Sequence, residues 1–195
     1  MPAMGASTTG LSTWIGPMES PGAGSVDVDI STILPVSPDL PEGTRRVLDD
    51  ARRRGLDVEI AERPEADSLE DAARLLGVEP GSLVKSLVVR RHDGSYLFAL
   101  VPGGRHLSWA RLRAAVGVNK LSLPSPELAL EATGHARGTI TPLGSTTAWP
   151  VYADSRIDGR IALGAGGPGR SAFVDAGPLL ASLDAVVADI TDAAR

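Results

Sequence analysis

Two apolar runs constrain this chain more than anything else in it: Leu83-Val-Lys-Ser-Leu-Val-Val-Arg90 and Ser95-Tyr-Leu-Phe-Ala-Leu-Val101, separated by His92-Asp93-Gly94. Runs of this composition around an Asp-Gly turn predict a β-hairpin. Successive side chains of a strand leave on opposite faces, so Leu83, Lys85, Leu87 and Val89 share one face and Val84, Ser86, Val88 and Arg90 the other. Both faces are largely apolar, and Lys85 stands in the middle of them. A buried ammonium is costly unless it is paired or opens onto a cavity. Two outcomes fit: Lys85 looks into a pocket, or it lies on an edge strand and runs its stem along the sheet to water.

Helical signals flank the hairpin. Val47, Leu48 and Ala51 share one face of a segment from Glu42 to Arg54 that Gly55 stops, which sends Arg45, Arg46, Arg52, Arg53 and Arg54 outward. Such a run is a solvated face or a patch for nucleic-acid phosphates. Ser68 followed by Asp71 opens a helix that ends at Leu76 and Gly77. Ser108 caps a helix ending at Gly117, and Ser125-Pro126-Glu127 opens one that stops at Gly134. Short strands are expected over 56–61, 119–123, 149–153, 161–163, 171–174 and 185–190, with a brief helix near 178–183. Hairpins mixed with helices in irregular order predict an α+β fold and not repeated βαβ units.

A chain of 195 residues, 43% of them hydrophobic, can bury one sizeable core. Residues 1–40 are rich in Gly, Ser, Thr and Pro without helical periodicity and are expected to form a flexible tail, with one domain over 41–195. Cysteine is absent, so disulfides, thiolate metal sites and a cysteine nucleophile are excluded, and the cytoplasm is the expected compartment. No apolar stretch reaches the ~20 residues of a membrane span, and no signal-peptide pattern opens the chain, so a soluble, unprocessed protein is expected. The net charge of -5 comes from Glu19, Asp27, Asp29, Asp39 and Glu42, all ahead of the first basic residue, Arg45. The remainder is charge-balanced and cannot hold long stretches of phosphate backbone, which leaves room only for local nucleic-acid contact.

Two loops carry chemical potential. Gly138-Thr-Ile-Thr-Pro142-Leu-Gly144 would let backbone N–H groups approach a ligand, although most such loops are turns. Gly164-Ala-Gly-Gly-Pro-Gly169 has the spacing of a dinucleotide fingerprint, but Pro168 and the strand-like Ser171-Ala-Phe-Val-Asp175 leave no helix to receive a pyrophosphate. A hairpin connection or a ligand-facing loop is expected there. His92, His106 and His135 show no metal-ligand spacing and are read as surface or structural residues. No nucleophile-elbow motif surrounds any serine.

Leu75-Leu-Gly-Val78, Val84-Lys-Ser-Leu-Val88, Leu100-Val-Pro-Gly103, the Gly138–Gly144 loop, Pro150-Val-Tyr-Ala-Asp154 and the glycine loop at Gly164, in this order, resemble the YbaK domain, also known as the editing insertion domain of bacterial prolyl-tRNA synthetases. The likeness runs from about residue 45 to 190. Its hallmarks are a strand lysine followed by a small hydroxyl residue, matched by Lys85 and Ser86, and a Gly-X-X-X-Pro loop, matched by Gly138 to Pro142. The resemblance implies a mixed, partly barrel-like β-sheet of about six or seven strands surrounded by helices. It implies hydrolysis, in trans, of the ester of a mischarged aminoacyl-tRNA, with the aminoacylated 3′ end as ligand, prolyl-tRNA synthetase as a candidate partner, and no membrane, metal or cofactor. Lys85 and Gly138 are then the catalytic candidates. Ser86, Thr139, Ile140, Thr141, Pro142, Leu143, Gly144, Gly164, Ala165 and Gly166 are the substrate-binding candidates. Amides from Gly138 to Thr141, and those of Leu143 or Gly144, would hold the oxyanion, while Pro142, which has no N–H, shapes the loop. The terminal ribose hydroxyl would help activate water. Where relatives often carry serine or histidine near the glycine loop, this chain has Gly164 and Ala165, which leaves the selected amino acid open. The rival reading is a non-catalytic tRNA or aminoacyl-nucleotide binding protein with the same pocket.

Overall fold

The computed structural model describes residues 40–194 except 64, 65 and 67; the tail expected over 1–40 lies, apart from Leu40, outside the described residues. The hairpin forms as β2 (Val84–Arg91) and β3 (Tyr96–Pro102), antiparallel, with Lys85 opposite Val101 and Ser86 opposite Leu100. It is the centre of a five-stranded sheet. Beside β2 lies β5 (Leu121–Ser122), and beyond β3 come β6 (Val151–Asp154) and β9 (Val186–Ala188), both in parallel pairings.

A second, antiparallel sheet contains β1 (Glu59–Glu62), β8 (Arg170–Asp175) and β7 (Arg160–Gly164) in that order. A single parallel bridge from Leu83 to Ala162 joins it to the strand segment ahead of β2. The glycine loop is the connection of the β7–β8 hairpin, one of the two outcomes expected for it. Two further strands, β4 (Arg105–Leu107) and β10 (Thr191–Ala193), pair with each other. The α+β class is as expected. Among the described residues ten strands stand where six or seven were implied, the excess being pieces of two or three residues, and they form three sheets with no closed barrel.

Among the described residues five α-helices accompany these sheets: α1 (Glu42–Arg53), α2 (Leu69–Leu75), α3 (Trp109–Val116), α4 (Pro126–Thr133) and α5 (Ala176–Ser182). Ser68 and Ser125 cap α2 and α4 by accepting the N–H groups of Asp71 and Leu128, at 3.0 and 3.3 Å. Ser108 precedes α3 but makes no side-chain cap bond; it is buried, and its own N–H donates to the Ile190 carbonyl at 2.8 Å. The arginines of the first helix do not all face outward either. Arg46 reaches the carbonyls of Gly134 at 2.6 Å and Gly144 at 3.1 Å, and Arg54 donates to the Ser182 carbonyl and to Asp50.

Strand alternation decides the core. Val84 and Val88, with Phe98 and Leu100 from β3, pack on one face against Leu143, Leu163 and Val174. Val89, Leu97 and Ala99 pack on the other against Leu112 and Ile190. Each large side chain so buried contributes about 1.5–3 kcal/mol relative to exposure. Asp154, fully buried, accepts from the Thr191 hydroxyl at 2.8 Å and the Ile190 N–H at 3.2 Å, and pairs with Arg156 at 3.1 Å. Those bonds tie β6 to β10.

Candidate active site

A cavity of roughly 700 Å³ lies alongside β2, its wall running from Leu83 to Val88. Lys85, Ser86, Gly138, Ile140 and Gly164 all border it, so the strand hallmark and the start of the Gly138 loop are brought together. Apolar atoms make most of the wall, from Val84, Val88, Ala129 and Leu163 among others. No histidine or carboxylate lines the cavity among the described residues. No group of three His, Cys, Asp or Glu among those residues could hold a metal ion.

Lys85 is half-buried, and its ammonium donates to the carbonyl oxygen of Arg105 at 2.5 Å. This bond positions the ammonium. Ser86, on the opposite face, has a buried Oγ with no hydrogen-bond partner among the described residues. A buried hydroxyl without a partner is uncommon and points to a ligand or water at that place.

The Gly138–Gly144 loop follows α4. Its first part touches the cavity, and the amides of Gly138 and Ile140 have no hydrogen-bond partner among the described residues. Three of the other amides expected to hold an oxyanion are engaged elsewhere: Thr139 with the Ala136 carbonyl at 3.0 Å, Leu143 with Thr141 Oγ1 at 3.3 Å, Gly144 with Asp50 Oδ2 at 3.0 Å. Thr139, Thr141, Pro142, Leu143, Gly144, Ala165 and Gly166 are not on the cavity wall. Gly166 supports the loop from behind, its N–H bonding the Thr139 carbonyl at 2.9 Å.

Gly164 borders the cavity, but its missing side chain makes no room for a substrate. A Cβ there would stand 2.2 Å from the Ile140 carbonyl oxygen and 2.7 Å from that of Thr139. The end of β7 is glycine because the loop backbone presses directly onto it.

Of the two places expected for His135, surface or structural, the second holds: it is fully buried beneath the loop. Its Nε2 makes a 3.1 Å hydrogen bond with the Leu143 carbonyl, while its Nδ1 is buried without a partner among the described residues. Burial pulls the imidazole pKa below its ordinary value, the nearby Arg46 charge does the same, and the bond to Leu143 opposes them only in part. A neutral ring therefore holds the loop, with Nε2–H as donor. His92 and His106 are exposed. Sequence reasoning does not single out Arg63, Arg137 and Arg170, which line the cavity. Arg137 beside Gly138 and Arg170 closing the glycine loop are findable by adjacency to motifs; Arg63 carries no such signal.

The profile of the aminoacyl-tRNA editing domain family matches residues 63–180, a span holding the cavity strand, the Gly138 loop and the glycine loop. The chain belongs to that family. Over 99 residues, 51% of this chain, it is 38% identical to a proline–tRNA ligase of Thermosipho melanesiensis, and over 117 residues, 59% of this chain, it is 36% identical to that of Shouchella clausii. It spans only 17% and 20% of those ligases' lengths. A crystal structure provisionally named a trans-editing enzyme for prolyl tRNA synthetase superposes with a TM-score of 0.71 at 31% identity, over 79% of this chain and 99% of the other. The fold surrounding the cavity is therefore that of YbaK-like editing proteins.

Proposed function

We propose that this editing domain hydrolyses, in trans, the ester bond of mischarged aminoacyl-tRNA, with tRNA for proline as its substrate and prolyl-tRNA synthetase as its partner. One observation carries the reading: the Lys85–Ser86 strand and the unpartnered amides of Gly138 and Ile140 border one cavity in a chain of the editing family. The choice of proline rests on likeness to proline–tRNA ligases and to the trans-editing protein.

Water adds to the ester carbonyl, the oxyanion collapses, and the C–O bond to the ribose breaks. The ribose oxygen takes up a proton, giving free amino acid and uncharged tRNA. Amides aimed at the developing oxyanion contribute about 3 kcal/mol each to such a step. In this site Gly138 and Ile140 supply them, and Lys85 adds a positive charge. Lys85 repels the substrate's own ammonium, so its place is beside the oxyanion or a phosphate. The proposal assigns the activation of water to the terminal ribose hydroxyl of the substrate, which lies beside the ester carbon.

The test is a deacylation panel of mischarged tRNAs run with wild type and Lys85→Ala. Wild type hydrolyses at least one, and the variant is slower by about 100-fold or more while remaining folded. The lost bond to the Arg105 carbonyl costs about 1 kcal/mol, and thermal denaturation verifies that the variant remains folded. Near-normal turnover by folded Lys85→Ala removes the lysine from the mechanism, and binding without hydrolysis by wild type establishes the non-catalytic alternative.

A further inference from the structure

Among the described residues the cavity is bordered by four cations, Lys85, Arg63, Arg137 and Arg170, and by no acidic side chain. That concentration is local, because the chain as a whole carries a net charge of -5. Many arginines here are committed to carboxylates: Arg52 to Asp49, Arg53 and Arg54 to Asp50, Arg111 and Arg156 to Asp189. Of the three at the cavity, Arg63 and Arg137 have no carboxylate partner among the described residues, and Arg170 has a long ion pair with Glu62. Arg137 is exposed and has no hydrogen bond or ion pair among the described residues. Arg63 has a buried Nε with no hydrogen-bond partner, an N–H whose desolvation nothing in the described protein offsets. Arg170 is 19% exposed and lies 3.8 Å from Glu62, beyond hydrogen-bond reach, with one 3.4 Å contact to the Pro168 carbonyl.

Their placement follows from the fold. Arg170 opens β8 opposite Glu62, and the Arg63 backbone N–H bonds the Gly169 carbonyl at 2.7 Å, so the two arginines leave from the same end of the three-stranded sheet. Arg137 arrives from the other chain segment at the cavity, one residue before Gly138. Guanidinium groups suit phosphate oxygens through paired N–H donors and keep their charge at any physiological pH.

We infer that Arg63, Arg137 and Arg170 form a phosphate-holding rim, which takes the phosphodiester groups of a single-stranded RNA 3′ end and places its last nucleoside in the cavity. This rests on the deacylase reading for the identity of the RNA, but it concerns binding and is tested without turnover. The rim, and not the arginine face of α1, is the nucleic-acid contact.

The probe is an uncharged RNA minihelix ending in single-stranded CCA, followed by fluorescence anisotropy over a range of salt, against wild type and Arg63→Gln, Arg137→Gln and Arg170→Gln. Each variant weakens binding about ten-fold. The slope of log affinity against log salt becomes shallower by about 0.7 for each phosphate no longer held. Arg52→Gln, on exposed α1, binds as wild type does, and a minihelix lacking CCA is insensitive to the rim variants. Arg137 has no bonded partner within the described protein, so its variant keeps the fold, which thermal denaturation verifies. The inference is overturned if the rim variants keep wild-type affinity and slope, if Arg52→Gln costs as much as they do, or if the blunt minihelix is weakened equally. Displacement of the RNA by micromolar ATP also overturns it, since the rim would then be a free-nucleotide site. Arginine-dependent binding without deacylation by wild type sinks the hydrolase reading and leaves the rim; deacylation with arginine-independent binding does the reverse.

Discussion

Gly138 and Gly144 bracket one loop and both have positive φ, 87° and 65°, yet they answer to different surroundings. A Cβ on Gly138 would meet nothing within 4 Å, whereas one on Gly144 would strike the Arg46 and Val47 backbone at 2.6 Å. The first half of the loop borders the cavity with unpartnered amides. The second half is bolted to α1 through Asp50 and Arg46, and to His135 through the Leu143 carbonyl. A donor array that must keep its geometry through a reaction needs both conditions: amides left open on one side and a rigid mounting on the other.

Gly144→Ala should have the largest effect on the fold, because it combines a left-handed backbone penalty with a backbone collision. We expect a drop of about 3–5 kcal/mol in chemical denaturation. A drop under about 1 kcal/mol would mean that the mounting half is not packed as described.

Gly138→Ala separates the halves. Only the backbone preference opposes it, so the stability cost is about 1–2 kcal/mol, while deacylation falls much further because the donor array changes shape. Equal and small changes in both measurements would place the oxyanion donors elsewhere.

Acid titration gives the smallest and most specific signal. Burial alone would raise the Asp50 pKa, but the Gly144 N–H and the Arg54 and Arg53 guanidinium groups outweigh it and hold the carboxyl below its usual 3.8. The stability this supplies is complete above 3.8 and is lost as pH falls through the lower folded-state value. His135 is shifted below its usual 6.5, so the fold prefers the neutral ring; its contribution is complete above 6.5 and is lost as pH falls below that. Denaturation of wild type and His135→Gln across pH should show a stability difference that shrinks below 6.5, with a second decline shared by both proteins below 3.8. A difference independent of pH would mean that the ring is not held neutral.

Much of the frame was legible in the residues. The β-hairpin and its alternating faces, the serines before α2 and α4 and the glycine stops follow from periodicity and turn chemistry, which act over a few residues; for the Gly164 loop they left a hairpin connection as one of two outcomes. The β4–β10 pair was not legible, because three-residue strands distant in sequence show no period to read. Nor was the inward use of Arg46, since an arginine on a helix looks solvated until a carbonyl arrives from 88 or 98 residues away.

For the candidate site, the order of Lys85, Ser86 and the Gly138-to-Pro142 loop was enough to suggest the family. Which amides stay open among the described residues, why Gly164 lacks a side chain and which arginines border the cavity were settled only by the assembled sheets. The physical reason is range: strand alternation and helix caps are set by neighbouring residues, whereas the contacts of Asp50 with Gly144 and of Gly164 with Ile140 exist only after distant backbones have been packed together.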